Sequence, residues 1–148
     1  MTGRGGAIVN VSSTARLVGM PLNGAYGAAK AGVLMLTKCA ALECARLDPP
    51  IRVNAVLPRY IATGMTEAIS DTLGSERFEQ RIRTAVPLQR LGEPADIAEA
   101  IVFLACDQSK FATGSSVVID GGWTGEQAKH SFNRDEILGF RRHRGSLR

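Results

Sequence analysis

Three short runs rich in β-branched residues, Ala7-Ile8-Val9-Asn10-Val11, Ile51-Arg52-Val53-Asn54-Ala55-Val56-Leu57 and Val117-Val118-Ile119, are separated by stretches long enough to hold helices. This spacing restricts the fold more than any other feature. β-Branched residues suit a pleated, half-buried strand, and strands that alternate with helices return in the same direction and build a parallel sheet. The expected class is α/β, with about three parallel strands and flanking helices. Ligands of such sheets bind beyond the carboxyl ends of the strands. Ser13 follows the first run, residues 58–63 follow the second, and Asp120-Gly121-Gly122 follows the third. All three segments are expected to face one crevice.

The connecting segments have distinct characters. Residues 24–46 read as a helix capped by Asn23, with small residues (Ala25, Ala28, Ala29, Ala31, Gly32) for close approach and Val33, Leu34, Leu36, Ala40 and Leu42 for apolar bulk. It is apolar on more than one face, so the sheet can cover only one side of it. Asp48-Pro49-Pro50 stops it. Residues 65–84 read as one or two polar-faced helices, interrupted by Gly64 and Gly74. Pro94 and Asp96 open a further helix with Ile97, Ala100, Ile101, Leu104 and Ala105 at helical spacing.

Ser13, Tyr26 and Lys30 carry the chemistry. With Tyr26 at the start of a helix, Lys30 lies four residues on and shares its face. An ordinary tyrosine titrates near 10 and exchanges protons poorly at neutrality. A cation about 5 Å away, at an effective dielectric of about 20, favours a phenolate by on the order of 3 kcal/mol, which makes the phenol a usable acid and base. Ser13, brought alongside, can donate a hydrogen bond to a substrate oxygen. Alone, Tyr-x-x-x-Lys is more often a surface pair.

Five motifs in order make the pattern specific: Ala7-Ile8-Val9-Asn10-Val11-Ser12-Ser13, Tyr26-Gly27-Ala28-Ala29-Lys30, Ile51-Arg52-Val53-Asn54-Ala55-Val56-Leu57-Pro58, Gly92-Glu93-Pro94-Ala95-Asp96-Ile97-Ala98 and Asp120-Gly121-Gly122-Trp123. Together, over about residues 5–124, they closely resemble the short-chain dehydrogenase/reductase family, in particular its single-domain members related to bacterial 3-oxoacyl-carrier-protein reductases. The resemblance implies that Tyr26 passes the proton, that Lys30 assists it and holds the nicotinamide ribose, and that Ser13 positions the substrate oxygen. It also implies NAD or NADP as cofactor, contacted by Tyr26, Lys30, Pro58, Arg59, Ile61 and Thr63, with Ile61 acting through its backbone and Thr63 through its side chain. A small alcohol or ketone is the implied substrate. The outer face of the 24–46 helix would pack on the same helix of a second subunit, giving a homo-oligomer.

Two departures stand out. The family's Thr-Gly-x-x-x-Gly-x-Gly turn, where backbone N–H groups meet the pyrophosphate, has no counterpart here, and Gly3-Arg4-Gly5-Gly6 precedes a strand instead of opening a helix. The chain therefore resembles the C-terminal half of a member, its three strands being the family's last three, with the 7–11 run left as an open apolar edge. At Pro58-Arg59 the family has Pro-Gly, so a long side chain stands where close backbone approach and an easy positive φ are usual. The competing reading is a truncated, non-catalytic half-domain that keeps the catalytic side chains, does not hold a dinucleotide and acts by associating with other subunits. An epimerase or dehydratase sharing the Tyr–Lys pair is disfavoured by the Asp120-Gly121-Gly122-Trp123 ending.

Composition sets the remaining limits. With 148 residues, 45% of them hydrophobic, the chain can bury one modest core. No apolar run reaches the roughly eighteen residues of a membrane span, and no secretory stretch follows Met1, so a cytoplasmic protein without a membrane partner is expected. The net charge of +4 is concentrated in a C-terminal tail (Arg134, Arg141, Arg142, Arg144, Arg148), which leaves a nearly neutral body and no nucleic-acid face. Residues 1–124 are expected to form the C-terminal part of a Rossmann-like domain and 125–148 a basic, weakly ordered tail. Cys39, Cys44 and Cys106 read as buried reduced thiols, and no metal site is expected. Asn54 and Trp123 read as structural, a buried hydrogen-bonding residue and a plug at the sheet end. Met20 and Leu22 are candidates for the substrate side.

Overall fold

The computed structural model describes residues 5–16 and 23–126. Met20, Leu22, Gly3, Arg4 and the basic tail from residue 127 lie outside the described residues. Three parallel strands form one sheet in the order β1 (Gly6–Val11), β2 (Ile51–Pro58), β3 (Ser116–Ile119). Gly6 to Val11 pair in register with Ile51 to Val56, and Ala55 to Pro58 with Ser116 to Ile119. β2 is central, and its residues from Val53 to Leu57 are all buried.

Alternation along β2 divides the core between two faces. Ala55 and Leu57 pack with Leu34 of α1 (Gly24–Cys44), whereas Val56 packs with Ile97 and Leu104 of α4 (Pro94–Ala105), joined by Val9, Val117 and Ile119. Helices thus cover both faces, as a doubly wound sheet requires. Between β2 and α4 the chain forms two helices, α2 (Gly64–Leu73) and α3 (Ser75–Ala85), broken at Gly74, whose φ of 84° suits glycine. Phe78, Ile82 and Val86 form a third cluster against Tyr60 and Leu91.

α1 starts where expected, with Asn23 at the cap position, although the Asn23 side chain makes no capping hydrogen bond. It ends at Cys44, two residues early. The turn beyond it tightens into Arg46 N–H to Glu43 O and Leu47 N–H to Cys44 O bonds before the two prolines. The cysteines correct the reading of buried thiols: Cys39 is exposed and Cys44 and Cys106 are half-buried, because apolar patterning on more than one face of a helix does not say which face the sheet covers. Asn54 is structural as read. It is fully buried, donates from Nδ2 to Ala112 O at 2.8 Å and accepts from Ser115 N–H at 3.0 Å, tying β2 to the approach to β3.

α4 begins with an ionic clasp. Asp96 accepts from the Glu93 N–H at 2.8 Å and from Arg90 Nη1 at 2.9 Å. The Arg90 guanidinium, and then the Glu93 N–H, hold the Asp96 carboxyl below its ordinary range, while Arg90 is raised. A depressed folded value means that the contribution is present above about pH 4 and fades as pH falls through the folded value. Both groups are solvated, so the effect is small and salt-sensitive. In urea unfolding at stepped pH, Asp96→Asn should flatten the acid limb slightly below about pH 4 and leave neutral m-values unchanged.

Among the described residues no helix is long and apolar enough to cross a membrane, and no group of three His, Cys, Asp or Glu side chains is placed to hold a metal ion.

Candidate active site

A crevice of about 530 Å³ opens beyond the carboxyl ends of β1 and β2. It gathers Ser13, Tyr26, Lys30, Pro58, Arg59, Ile61 and Thr63, the residues the sequence assigns to catalysis and cofactor contact. They come from three segments. Ser13 stands two residues past β1, Tyr26 and Lys30 lie on the first turns of α1, and the others follow β2.

The local structure fixes these positions. The Ser12 hydroxyl donates to Lys30 O at 2.8 Å, and Asn10 Nδ2 donates to Thr37 Oγ1 at 2.9 Å, so α1 is pinned along β1 at two points. Lys30 Nζ donates to Val11 O at 3.0 Å and stands 5.8 Å from the centroid of the Tyr26 ring. The lysine is thereby anchored to the strand end with its charge beside the phenol. Tyr26 is 39% exposed and lines the crevice. Ser13 is buried, and its Oγ accepts from the Ala15 N–H at 3.1 Å, which leaves its own hydrogen able to donate.

The 58–63 segment reaches the crevice through a turn. Tyr60 has a φ of 49°, in the left-handed region. The positive φ expected to conflict with Arg59 thus falls one residue later. Ala62 N–H donates to Gly92 O at 2.8 Å and Gly92 N–H to Tyr60 O at 3.0 Å. Thr66 fastens the next turn: its hydroxyl donates to Ile61 O and accepts from the Thr63 N–H, each within 2.9 Å. Thr66 was overlooked in the sequence, although Thr63-Gly64-Met65-Thr66 carries the spacing of a capping box. Ser12 was overlooked because it adjoins the more conspicuous Ser13.

Asp120-Gly121-Gly122 requires a correction. It does not line this crevice. Asp120 and Gly121 border a separate cavity of about 200 Å³ that shares Arg59 and Ile61 with it. Gly121 and Gly122 adopt φ of 63° and 90° and turn the chain away, while Asp120 is used locally: its carboxylate accepts from the Gly122 and Thr124 N–H groups and the Thr124 hydroxyl, capping α5 (Trp123–Glu126). A cap of this kind is a structural use of the motif. Trp123 is buried, as a plug at the sheet end should be.

The donor set suits the nicotinamide-ribose end of a dinucleotide, since hydroxyl, phenol and ammonium groups share the crevice lining with the apolar Ile61, Met65 and Ile69. Lys30 and Tyr26 could hold the ribose, and the Ile61 backbone and Thr63 the ring amide.

Residues 1–124 match the family model described as enoyl-(acyl carrier protein) reductase. The chain is 46% identical over 124 residues to the NADP-dependent (R)-specific alcohol dehydrogenase of Lentilactobacillus kefiri, covering 84% of this chain and 48% of that protein. It is 44% identical over 119 residues to the 3-oxoacyl-acyl-carrier-protein reductase FabG of Staphylococcus aureus, covering 80% and 46%. Among solved structures, a short chain dehydrogenase family protein from Francisella tularensis superposes with a TM-score of 0.72 at 32% identity, covering 80% of this chain and 51% of that one. The chain spans about half the length of the curated relatives it matches. The family match over residues 1–124, the identities to these relatives and the shared fold agree: the chain belongs to the short-chain dehydrogenase/reductase family.

Proposed function

We propose that this chain supplies the catalytic side of an oxidoreductase that interconverts a small alcohol and its ketone with NAD or NADP. The reading is carried by one observation, the meeting of Ser13, Tyr26 and Lys30 with residues 58–63 around a single crevice. When bound, the nicotinamide supplies or takes the hydride. The chain's residues do the rest. Ser13, its Oγ already accepting from Ala15, donates its hydroxyl hydrogen to the substrate oxygen. Tyr26 gives that oxygen a proton during reduction and recovers one during oxidation. Lys30, held by Val11 O, places positive charge beside the phenol and keeps further N–H donors for the ribose. NADP is favoured over NAD by the name of the Lentilactobacillus relative. A cytoplasmic site of action fits this chemistry. The reading is tested by following NADPH absorbance with a panel of small ketones; turnover by the purified chain supports it, and none across the panel counts against it.

A second reading is favoured by β1 standing at the sheet edge with Ile8 and Val11 exposed. In it the chain is a non-catalytic half-domain that associates with other subunits.

The outer face of α1 is the proposed contact with a second copy. Met35, Leu36 and Leu42 are 60%, 64% and 72% exposed there, more apolar surface than a solitary helix normally presents to water. Leu36→Glu should weaken self-association at least tenfold in sedimentation velocity by placing a charge in an apolar contact. An unchanged distribution would remove α1 from the interface.

A further inference from the structure

Arg59, the residue that departs from the family pattern, has a defined setting. Its amide donates to Ile119 O at 3.2 Å, so its backbone is fixed across β2 and β3. Its guanidinium carbon stands 3.8 Å from the Trp123 ring centroid and 4.5 Å from that of Tyr60, and Nη2 donates to the Tyr60 hydroxyl at 3.1 Å. The two rings meet edge to face, 6.5 Å apart at 87°. Tyr60 holds the left-handed φ in this turn, a conformation that a bulky residue keeps only when its surroundings impose it. After it in the segment come two further residues that line the crevice, Ile61 and Thr63.

We propose that Arg59 is a positioning residue. By lying against both Trp123 and Tyr60 it holds Tyr60 in the left-handed turn, and this fixes where the Ile61 backbone and the Thr63 hydroxyl meet the crevice. A planar, permanently charged guanidinium suits the task, since it can stack on one ring while donating to another residue's hydroxyl, which an ammonium does less well. A glycine would make the turn easily but leave it unbraced. Its consequence for cofactor binding rests on the proposed nicotinamide site; the mechanical claim does not.

Hydrogen exchange on the 148-residue chain tests the mechanical claim. In Arg59→Ala the Ala62 and Thr63 amides should exchange at least about tenfold faster than in the parent, with β2 and α4 amides within about twofold, because only a local opening is released. Arg59→Lys should fall between. Trp123 is the only tryptophan, so its emission should change in Arg59→Ala and partly recover in Arg59→Lys. Parent-like exchange at Ala62 and Thr63, or equal acceleration throughout β2 and α4, overturns the proposal. An NADPH titration separates the two layers. Local acceleration together with about tenfold weaker NADPH binding supports both. Local acceleration where neither protein binds NADPH supports the brace and overturns the nicotinamide site. Unchanged exchange with normal NADPH binding does the reverse.

Discussion

A Tyr26→Phe variant is expected to reduce ketones with NADPH about 10²–10⁴-fold more slowly than the parent chain, the usual worth of a positioned proton donor. The change removes one oxygen and leaves the ring. Tyr26 is 39% exposed and lines the crevice, and the bond that anchors Lys30 runs to Val11 O, so neither α1 nor the lysine depends on the phenol. Circular dichroism should therefore stay close to that of the parent while turnover collapses far more than NADPH affinity, which loses only the one hydrogen bond the phenol would give the ribose. Loss of folding in the same variant would mean that Tyr26 is structural. Turnover within threefold of the parent would mean that the proton comes from elsewhere.

The largest stability effect is expected at Arg52. From β2 its Nη1 donates to Leu104 O at 2.8 Å, Ser109 Oγ at 3.0 Å and Ala112 O at 3.4 Å, and its Nη2 to Cys106 O at 3.0 Å. One side chain thus satisfies carbonyls at the end of α4, which have no partner within the helix, and ties that end to the loop entering β3. Hydrogen bonds to a charged group contribute about 1.5–3 kcal/mol each but do not add. Arg52→Met should cost about 3 kcal/mol in urea unfolding, equivalent to roughly 10 °C in Tm for a chain of this size. A loss below about 0.5 kcal/mol would show that water replaces the guanidinium at no cost.

The sheet was legible because its signals are local. β-Branched runs flanked by Gly, Pro and Ser mark β1, β2 and β3 to within a residue, and helical spacing after Pro94 marks α4. The grouping of Ser13, Tyr26 and Lys30 was legible because topology brings strand ends together whatever the intervening sequence. What escaped the sequence depends on long-range placement. Arg52 reads as a polar residue in a strand, and nothing nearby shows that its acceptors lie more than fifty residues away. Asp120-Gly121-Gly122 follows a strand end, as a crevice segment would, but two positive φ values redirect it. The burial of Cys39 was misjudged because α1 is apolar around most of its circumference. Arg59, standing where the family has glycine, reads as excluding an easy positive φ, and the positive φ occurs one residue later, at Tyr60.

The central claim is that Lys30 and Tyr26, with residues 58–63, form a working nicotinamide site. Titration of the purified chain with NADPH, read by cofactor fluorescence up to about millimolar and repeated with Lys30→Ala, tests it directly. The account predicts a saturable enhancement that Lys30→Ala weakens about tenfold, roughly 1.4 kcal/mol. A flat response to about millimolar NADPH in the parent chain, or curves that coincide for parent and variant, would contradict it.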